Sequence, residues 1–244
     1  MLLKIGTYNI RLSAADDGVN SWKYRAEKLC TYVQSLNLDV LGVQEAMHDQ
    51  VLALDKALPN YVRIGVGRED GLTQGEYCAL FVRNQLQVWK SGTFWFSDAP
   101  TVPNSRSWGN QITRITTWVE LETELGAILI TNSHLDHQSD ESRRKSVLAL
   151  LEFAKPHNPN AIMMGDFNMA PSDPNLRPLF AVAKDALHAA SESKSTFHGW
   201  QFGEDGSQID YIFCGPHFEF FTAESPRVPY SDHYPVIANV NFLG

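Results

Sequence analysis

The sequence predicts an α/β fold in which two β-sheets pack face to face and carry helices on their outer faces. Strand-like runs outnumber helical patterns, eleven to four. Most of the runs are short, rich in Val, Ile, Phe, Tyr and Thr, and bounded by Gly, Pro, Asn or Asp. Apolar residues make up 43% of the 244, enough for a sizeable buried core. Sheets and amphipathic helices bury their apolar faces by stacking in layers, and this mixture suits paired sheets with helices outside. No low-complexity linker or charge run divides the chain, so one domain over 1–244 is expected.

Taken in order, the run 2–9 opens the chain and ends at Asn9. A helix over 21–36 is marked on one face by Trp22, Ala26, Leu29, Val33 and Leu36. The run 38–44 is apolar from Leu38 to Val43, as a buried strand is, and Gln44-Glu45 comes where it ends. Val51, Leu54 and Leu58 mark a second helix over 47–57. Runs 61–66, 77–83, 86–91, 115–122 and 127–133 follow. A third helix, 140–155, starts at a Ser139-Asp140 cap, shows Val147, Leu148, Leu151 and Ala154 on one face, and stops at Pro156. Then come the run 161–165, a short helix near 175–183, and the runs 209–214, 218–224 and 235–242.

A formal net charge of −8 argues against a long nucleic-acid footprint, which needs many phosphate contacts and usually a basic face. Any nucleic-acid substrate would be gripped locally, at an end or on a short single strand. Cys30, Cys78 and Cys214 sit in apolar patterns without metal-ligand spacing and read as buried small hydrophobes in a reducing compartment. No apolar stretch reaches the roughly 20 residues that span a bilayer, and the opening Met1-Leu2-Leu3-Lys4-Ile5 is too short for a signal core. A cytoplasmic enzyme without a membrane partner is the expectation.

Polar motifs follow, or sit inside, the apolar runs. Glu45 ends a buried strand, where a carboxylate must reach solvent, a partner or a metal; the competing use is the N-terminus of the next helix. Gly165-Asp166-Phe167-Asn168 ends another strand, and its two polar groups, one residue apart, share a face of extended chain. Asp166 there suits orienting or deprotonating a water, and Asn168 suits donating to a phosphate oxygen as charge builds. His134, in Asn132-Ser133-His134-Leu135-Asp136, shares a face with Asp136 and can hydrogen-bond a phosphate oxygen; Asp136 also suits ordering the loop, and His137 reads as incidental. Asp210, in Ile209-Asp210-Tyr211, and Asp232-His233, in Ser231-Asp232-His233, complete the set. Carboxylates, an amide and imidazoles at strand ends are the parts of a metal-assisted phosphoester cleavage site.

These motifs, in this order and together with Thr7-Tyr8-Asn9-Ile10-Arg11 and Val43-Gln44-Glu45, resemble the endonuclease/exonuclease/phosphatase superfamily with its DNase I-like fold. The resemblance runs from Asn9 to His233 and is nearest the deadenylase-like branch. It implies a four-layer α/β sandwich of two mixed β-sheets, with catalytic loops gathered at one edge. It also implies a Mg²⁺ or Mn²⁺ ion held by Glu45 with Asn9 and Asp232, and Asp210 orienting His233 beside the scissile phosphate. Glu76 would orient His134. Whether Asp166 or His233 is the base is left open by the sequence.

A second group bears on substrate. Thr93 to Pro100 carries Trp95 and leads into a polar loop with Arg106 and Trp108; aromatics beside Arg suit stacking a base while neutralising a phosphate. Arg114 opens the next strand and suits a phosphate or a structural ion pair. Ser195 to Trp200 resembles a rim loop of the family, with His198 and Trp200 as weaker candidates. A nucleotide-containing or small phosphodiester is the first expectation, and a phosphomonoester the alternative. A catalytically inactive binding module is disfavoured, because every motif position is intact.

Overall fold

The computed structural model describes residues 1–190, 195–202 and 206–244. Alternate residues of the first strand, β1 (Leu2–Asn9), show how the fold builds its site. Leu3 and Ile5 enter the core between the sheets, and Thr7 and Asn9, on the same face, are buried and polar. The same change from apolar to polar recurs three times. In β2 (Val40–Ala46) the inner face runs from Val40 to Gln44, and in β7 (Ile128–His134) it runs Ile128, Ile130, Asn132, His134. In β8 (Ala161–Asp166) it runs Ile162, Met164, Asp166. The period of two in an extended chain therefore places a polar side chain at the same end of each strand.

The remaining strands are β3 (Tyr61–Ile64), β4 (Tyr77–Arg83), β5 (Gln87–Trp95), β6 (Ile115–Glu122), β9 (Lys184–Asp185), β10 (Asp210–Cys214), β11 (Phe218–Glu224) and β12 (Val236–Phe242). One six-stranded sheet has the order β11-β12-β1-β2-β4-β3, and the other β5-β6-β7-β8-β10-β9. Each has a parallel pair at its centre, β1 with β2 and β7 with β8, flanked on both sides by antiparallel strands. Parallel neighbours end at the same edge, and their antiparallel neighbours begin there. Asp210 opens β10 opposite Asp166, and β12 begins just after Asp232-His233, with Val236 opposite Thr7.

Helices α1 (Trp22–Leu36) and α2 (His48–Ala57) pack Leu29, Val33, Val51 and Leu54 on the outer face of the first sheet, against Tyr8, Leu41, Val43 and Phe81. On the second sheet α3 (Asp140–Ala154) and α4 (Arg177–Phe180) place Val147, Leu150 and Leu179 against Leu129, Met163 and Phe213. The result is the four-layer α/β sandwich. Each fully buried aliphatic side chain contributes roughly 1.5–3 kcal/mol before entropy is counted. Cys78 and Cys214 are buried, Cys30 is partly buried, and all three are free thiols. No helix among the described residues is long and apolar enough to cross a membrane.

Several expectations need correction. The run at 86–91 extends to Trp95, because β5 pairs with β6 as far as Trp95 opposite Ile115. On α3 Leu150 joins Val147 and Ala154 as a buried apolar residue, while Leu148 is 46% exposed and Leu151 is partly buried. On α1 the buried face includes Arg25, whose guanidinium donates to the carbonyls of Ile10, Arg11, Asn20 and Tyr230. The helix near 175–183 is one α-helical turn after a 3₁₀ segment, Pro174–Leu176. The short β9 and α5 (Ala186–Ala190) carry too few residues to show a period.

Candidate active site

The strand ends meet around the Asp166 carboxylate, which is 1% exposed. Its Oδ1 accepts the Asn168 backbone N–H at 2.9 Å. Its Oδ2 accepts from Asn9 Nδ2 at 2.9 Å and lies 3.6 Å from His134 Nε2 and 3.8 Å from His233 Nε2. Burial, and then the Asp210 charge, lift its pKa to about 7. Gly165 makes this approach feasible: its φ is +136°, and a Cβ there would stand 2.0 Å from the Ser133 carbonyl oxygen.

His233 is held by Asp210, with Nδ1 2.9 Å from Asp210 Oδ2. Burial alone would lower its pKa, but the Asp210 charge and hydrogen bond, followed by the Asp166 charge, outweigh it and raise the value to about 10. The ring therefore carries both protons at neutral pH. Asp210 is itself positioned by Thr196, whose Oγ1 accepts the backbone N–H groups of Ile209 and Asp210 at 3.0 and 3.1 Å. Ligand atoms of Asp166, Asp210 and His233 all lie within 4.8 Å of one another. With Nδ1 already engaged by Asp210, this trio is arranged to handle protons.

Glu45 reaches the cavity through a β-bulge. Val43 pairs with Ala79 and Ala46 with Tyr77, so Gln44 and Glu45 together oppose Cys78. Glu45 has φ +57°, a left-handed conformation that aims a second consecutive side chain toward the site. Its Oε1 accepts from Asn9 Nδ2 at 3.0 Å. Arg11 Nη1 lies 3.9 Å from Glu45 Oε2, and Arg11 Nε lies 3.7 Å from Asp232 Oδ2. Two carboxylates thus flank one cationic group, and hard oxygen donors of this kind suit Mg²⁺ or Mn²⁺. Glu45 and Asp232 fit the expected metal. Asn9 does not fit as a ligand: its Oδ1 accepts the Arg11 backbone N–H at 3.0 Å, and its amide nitrogen faces the carboxylates. It ties Glu45 to Asp166.

His134 lies between Asp166 and Glu76, with Nδ1 3.9 Å from Glu76 Oε2. Burial, then the charges of Arg114 and Arg68, hold its pKa well below the ordinary value, so it is neutral at pH 7. Glu76 receives both Arg68 Nη atoms at 2.7 Å, a contact shorter than its approach to His134. Asp136 orders its loop: Oδ1 accepts the N–H groups of Gln138 and Ser139 at 2.8 and 2.6 Å, and Oδ2 stands 3.6 Å from Arg114 Nε. Asn168, at φ +52°, lines the cavity while its Nδ2 donates to the Leu135 carbonyl.

The cavity measures about 420 Å³ and is also lined by Arg11, Arg68, Arg114, His137 and Phe197. Sequence reasoning passed over Arg68 and read His137 as incidental, whereas both line the cavity. A single Arg in a polar loop carries no signal, and His137 has only its place beside Asp136 to suggest a role. Three expected substrate contacts do not line the cavity. Trp95 is 5% exposed, packs with Cys78 and Ile115, and donates Nε1–H to the Arg68 carbonyl at 2.7 Å. Trp108 donates to Asp98, and the exposed Arg106 to the Gln111 carbonyl, each at 2.8 Å. These hydrogen bonds commit Trp108 and Arg106 to their own loop, which reaches the cavity through Ile112 instead. His198 is turned onto the Tyr234 ring at 4.2 Å, and Trp200 onto Arg25.

The model of the endonuclease/exonuclease/phosphatase family matches residues 6–233. The chain belongs to this family. It is a metal-dependent phosphoester hydrolase. A solved endonuclease/exonuclease/phosphatase from Bacteroides vulgatus is 32% identical, with 99% of each chain covered and a TM-score of 0.93. A mannosyl-6-phosphatase from Bacteroides thetaiotaomicron is 28% identical over 98% of this chain and 100% of its own, with a TM-score of 0.91. TDP2 from D. rerio, solved with a single-strand DNA product, is 18% identical over 98% and 99% of the two chains, with a TM-score of 0.76, a likeness of fold alone. No curated protein matches the chain.

Proposed function

We propose that the enzyme hydrolyses a small phosphomonoester by in-line attack of water. The observation that carries this reading is the convergence of Asn9, His134 and His233 on one buried oxygen of Asp166, within 3.8 Å, at the wall of a cavity. Asp166, with its proton affinity tuned to neutral pH, takes the proton of the attacking water. His233, charged and held by Asp210, donates Nε2–H to a phosphate oxygen. Neutral His134 hydrogen-bonds a second phosphate oxygen as the bond from phosphorus to the leaving oxygen breaks. Glu45 and Asp232 would hold a divalent cation, which when bound supplies Lewis acidity toward phosphate and leaving oxygens. No covalent enzyme intermediate is required.

The position of the tryptophans, away from the cavity, supports a monoester over the nucleobase-bearing diester first expected. The activity named for the mannosyl-6-phosphatase relative supports it as well. The test compares p-nitrophenyl phosphate with bis(p-nitrophenyl) phosphate in Mg²⁺, Mn²⁺ or EDTA. Metal-dependent release from the monoester is expected. Asp166→Asn and His233→Ala are expected to stay folded and to lose about 10²–10⁴-fold in rate. Unchanged rates in both variants would remove the assignment.

A further inference from the structure

Three arginines line the cavity, and they are not equally committed. Arg11 donates to both carboxylate oxygens of Asp17, at 3.0 and 3.1 Å. Arg68 is paired with both oxygens of Glu76 at 2.7 Å. Arg114 differs. It is 3% exposed, its nearest carboxylate is Asp136 at 3.6 Å, and its Nε has no hydrogen-bond partner among the described residues. Its Nη2 donates to His137 Nδ1 at 2.7 Å. That bond occupies the His137 Nδ1 lone pair and places the ring proton on Nε2. Partial desolvation and the Arg114 charge keep His137 below its ordinary pKa, so it stands at the cavity as a neutral N–H donor.

Arg114 Nε and Asp136 Oδ2, neither with a hydrogen-bond partner among the described residues, face each other at 3.6 Å, so Asp136 braces the guanidinium from one side where it lines the cavity. The planar fork of the guanidinium matches two oxygens of a phosphate. A phosphomonoester dianion brings one more charge and one more free oxygen than a diester, whose second ester group occupies that oxygen.

We propose that Arg114, braced between Asp136 and His137, selects a phosphomonoester dianion over a phosphodiester by pairing with its terminal oxygens. This rests on the reading of the cavity as the site of a metal-dependent phosphoester hydrolase. Arg114 binds the substrate, and His137 positions Arg114 and adds one donor.

The experiment measures kcat/KM for p-nitrophenyl phosphate and bis(p-nitrophenyl) phosphate with Mn²⁺, using wild type, Arg114→Gln and His137→Ala. Inhibition by inorganic phosphate is followed in parallel. Wild type should prefer the monoester. Arg114→Gln should lower the monoester value by about 10²-fold and the diester value by less than about threefold, and should weaken phosphate inhibition by about tenfold, the scale of a lost charge-assisted bond. His137 is exposed, so His137→Ala should fold and move the monoester-to-diester ratio the same way by a smaller factor. If melting curves show that Arg114→Gln is damaged, the ratio in His137→Ala decides. Equal losses on both esters, or a ratio unchanged in His137→Ala, would overturn the proposal while leaving the hydrolase reading intact. A wild type that prefers the diester would overturn this proposal and the monoester reading together, leaving only the phosphoester hydrolase. Turnover of neither ester by wild type would defeat both.

Discussion

At the scale of single residues, the site raises two titrations together and keeps their order, the carboxyl below the imidazole. Burial and the Asp210 charge lift Asp166 to about 7, and the same Asp210 charge helps lift His233 to about 10. An ionised Asp166 and a charged His233 coexist only between those values. We expect kcat/KM to climb as pH rises through about 7 and to fall as pH nears 10. The sign of the effect of Asp210→Asn follows from the charge it removes. A negative neighbour favours the protonated form of both groups, so neutralising it should move both limbs to lower pH. Profiles of wild type and variant decide this, and an acid limb that moves upward would contradict the assignment of Asp166 as base.

At the scale of elements, the site stands on a buried polar girdle between the two sheets. Gln44 Nε2 donates to Thr7 Oγ1 at 2.8 Å and to Asn132 Oδ1, and Asn132 Nδ2 donates to the Val43 and Ala79 carbonyls at 2.9 Å. All three side chains are 0% exposed. This girdle joins β1, β2 and β4 to β7 directly beneath the catalytic groups, so it fixes how far apart the two halves of the site lie. Asn132→Ala should cost about 2–3 kcal/mol in urea unfolding, since buried hydrogen-bonding partners are left incomplete. Gly42 faces the same amide; a Cβ there would lie 2.7 Å from Asn132 Cγ and Oδ1. Gly42→Ala is therefore expected to destabilise despite the change being one methyl group.

At the scale of the whole molecule, each sheet supplies half of the chemistry. The first brings Asn9, Arg11, Glu45 and the Asp232-His233 pair that precedes β12. The second brings His134, Asp166 and Asp210. A cation bound by Glu45 and Asp232 sits on the first sheet only but adds stability to the folded chain as a unit. At a metal concentration a hundredfold above its dissociation constant the gain is about 2.7 kcal/mol. In a chain of this size that raises Tm by several degrees. Mn²⁺ should raise Tm relative to EDTA in wild type, and Glu45→Gln should abolish most of the shift. A full shift in Glu45→Gln would place the metal elsewhere. The net charge of −8 makes a further global difference: long polyanions should be poor competitors compared with inorganic phosphate.

The sequence by itself determined the layer class and the strand ends, because alternation of apolar residues is a local property. Asp166, His233, Asp210, Glu45 and His134 were legible for the same reason: each is polar at the end of an apolar run, where burial without a partner would be costly. The tertiary structure decided what depends on contacts between distant segments. It turned Asn9 into the tie between Glu45 and Asp166, and it gave Trp95 to the packing beneath Arg68 instead of to a substrate. It also brought Arg68, Arg114 and His137 to one cavity wall. No period marks a residue whose partner lies dozens of positions away, and only the folded chain shows which carboxylate each arginine faces.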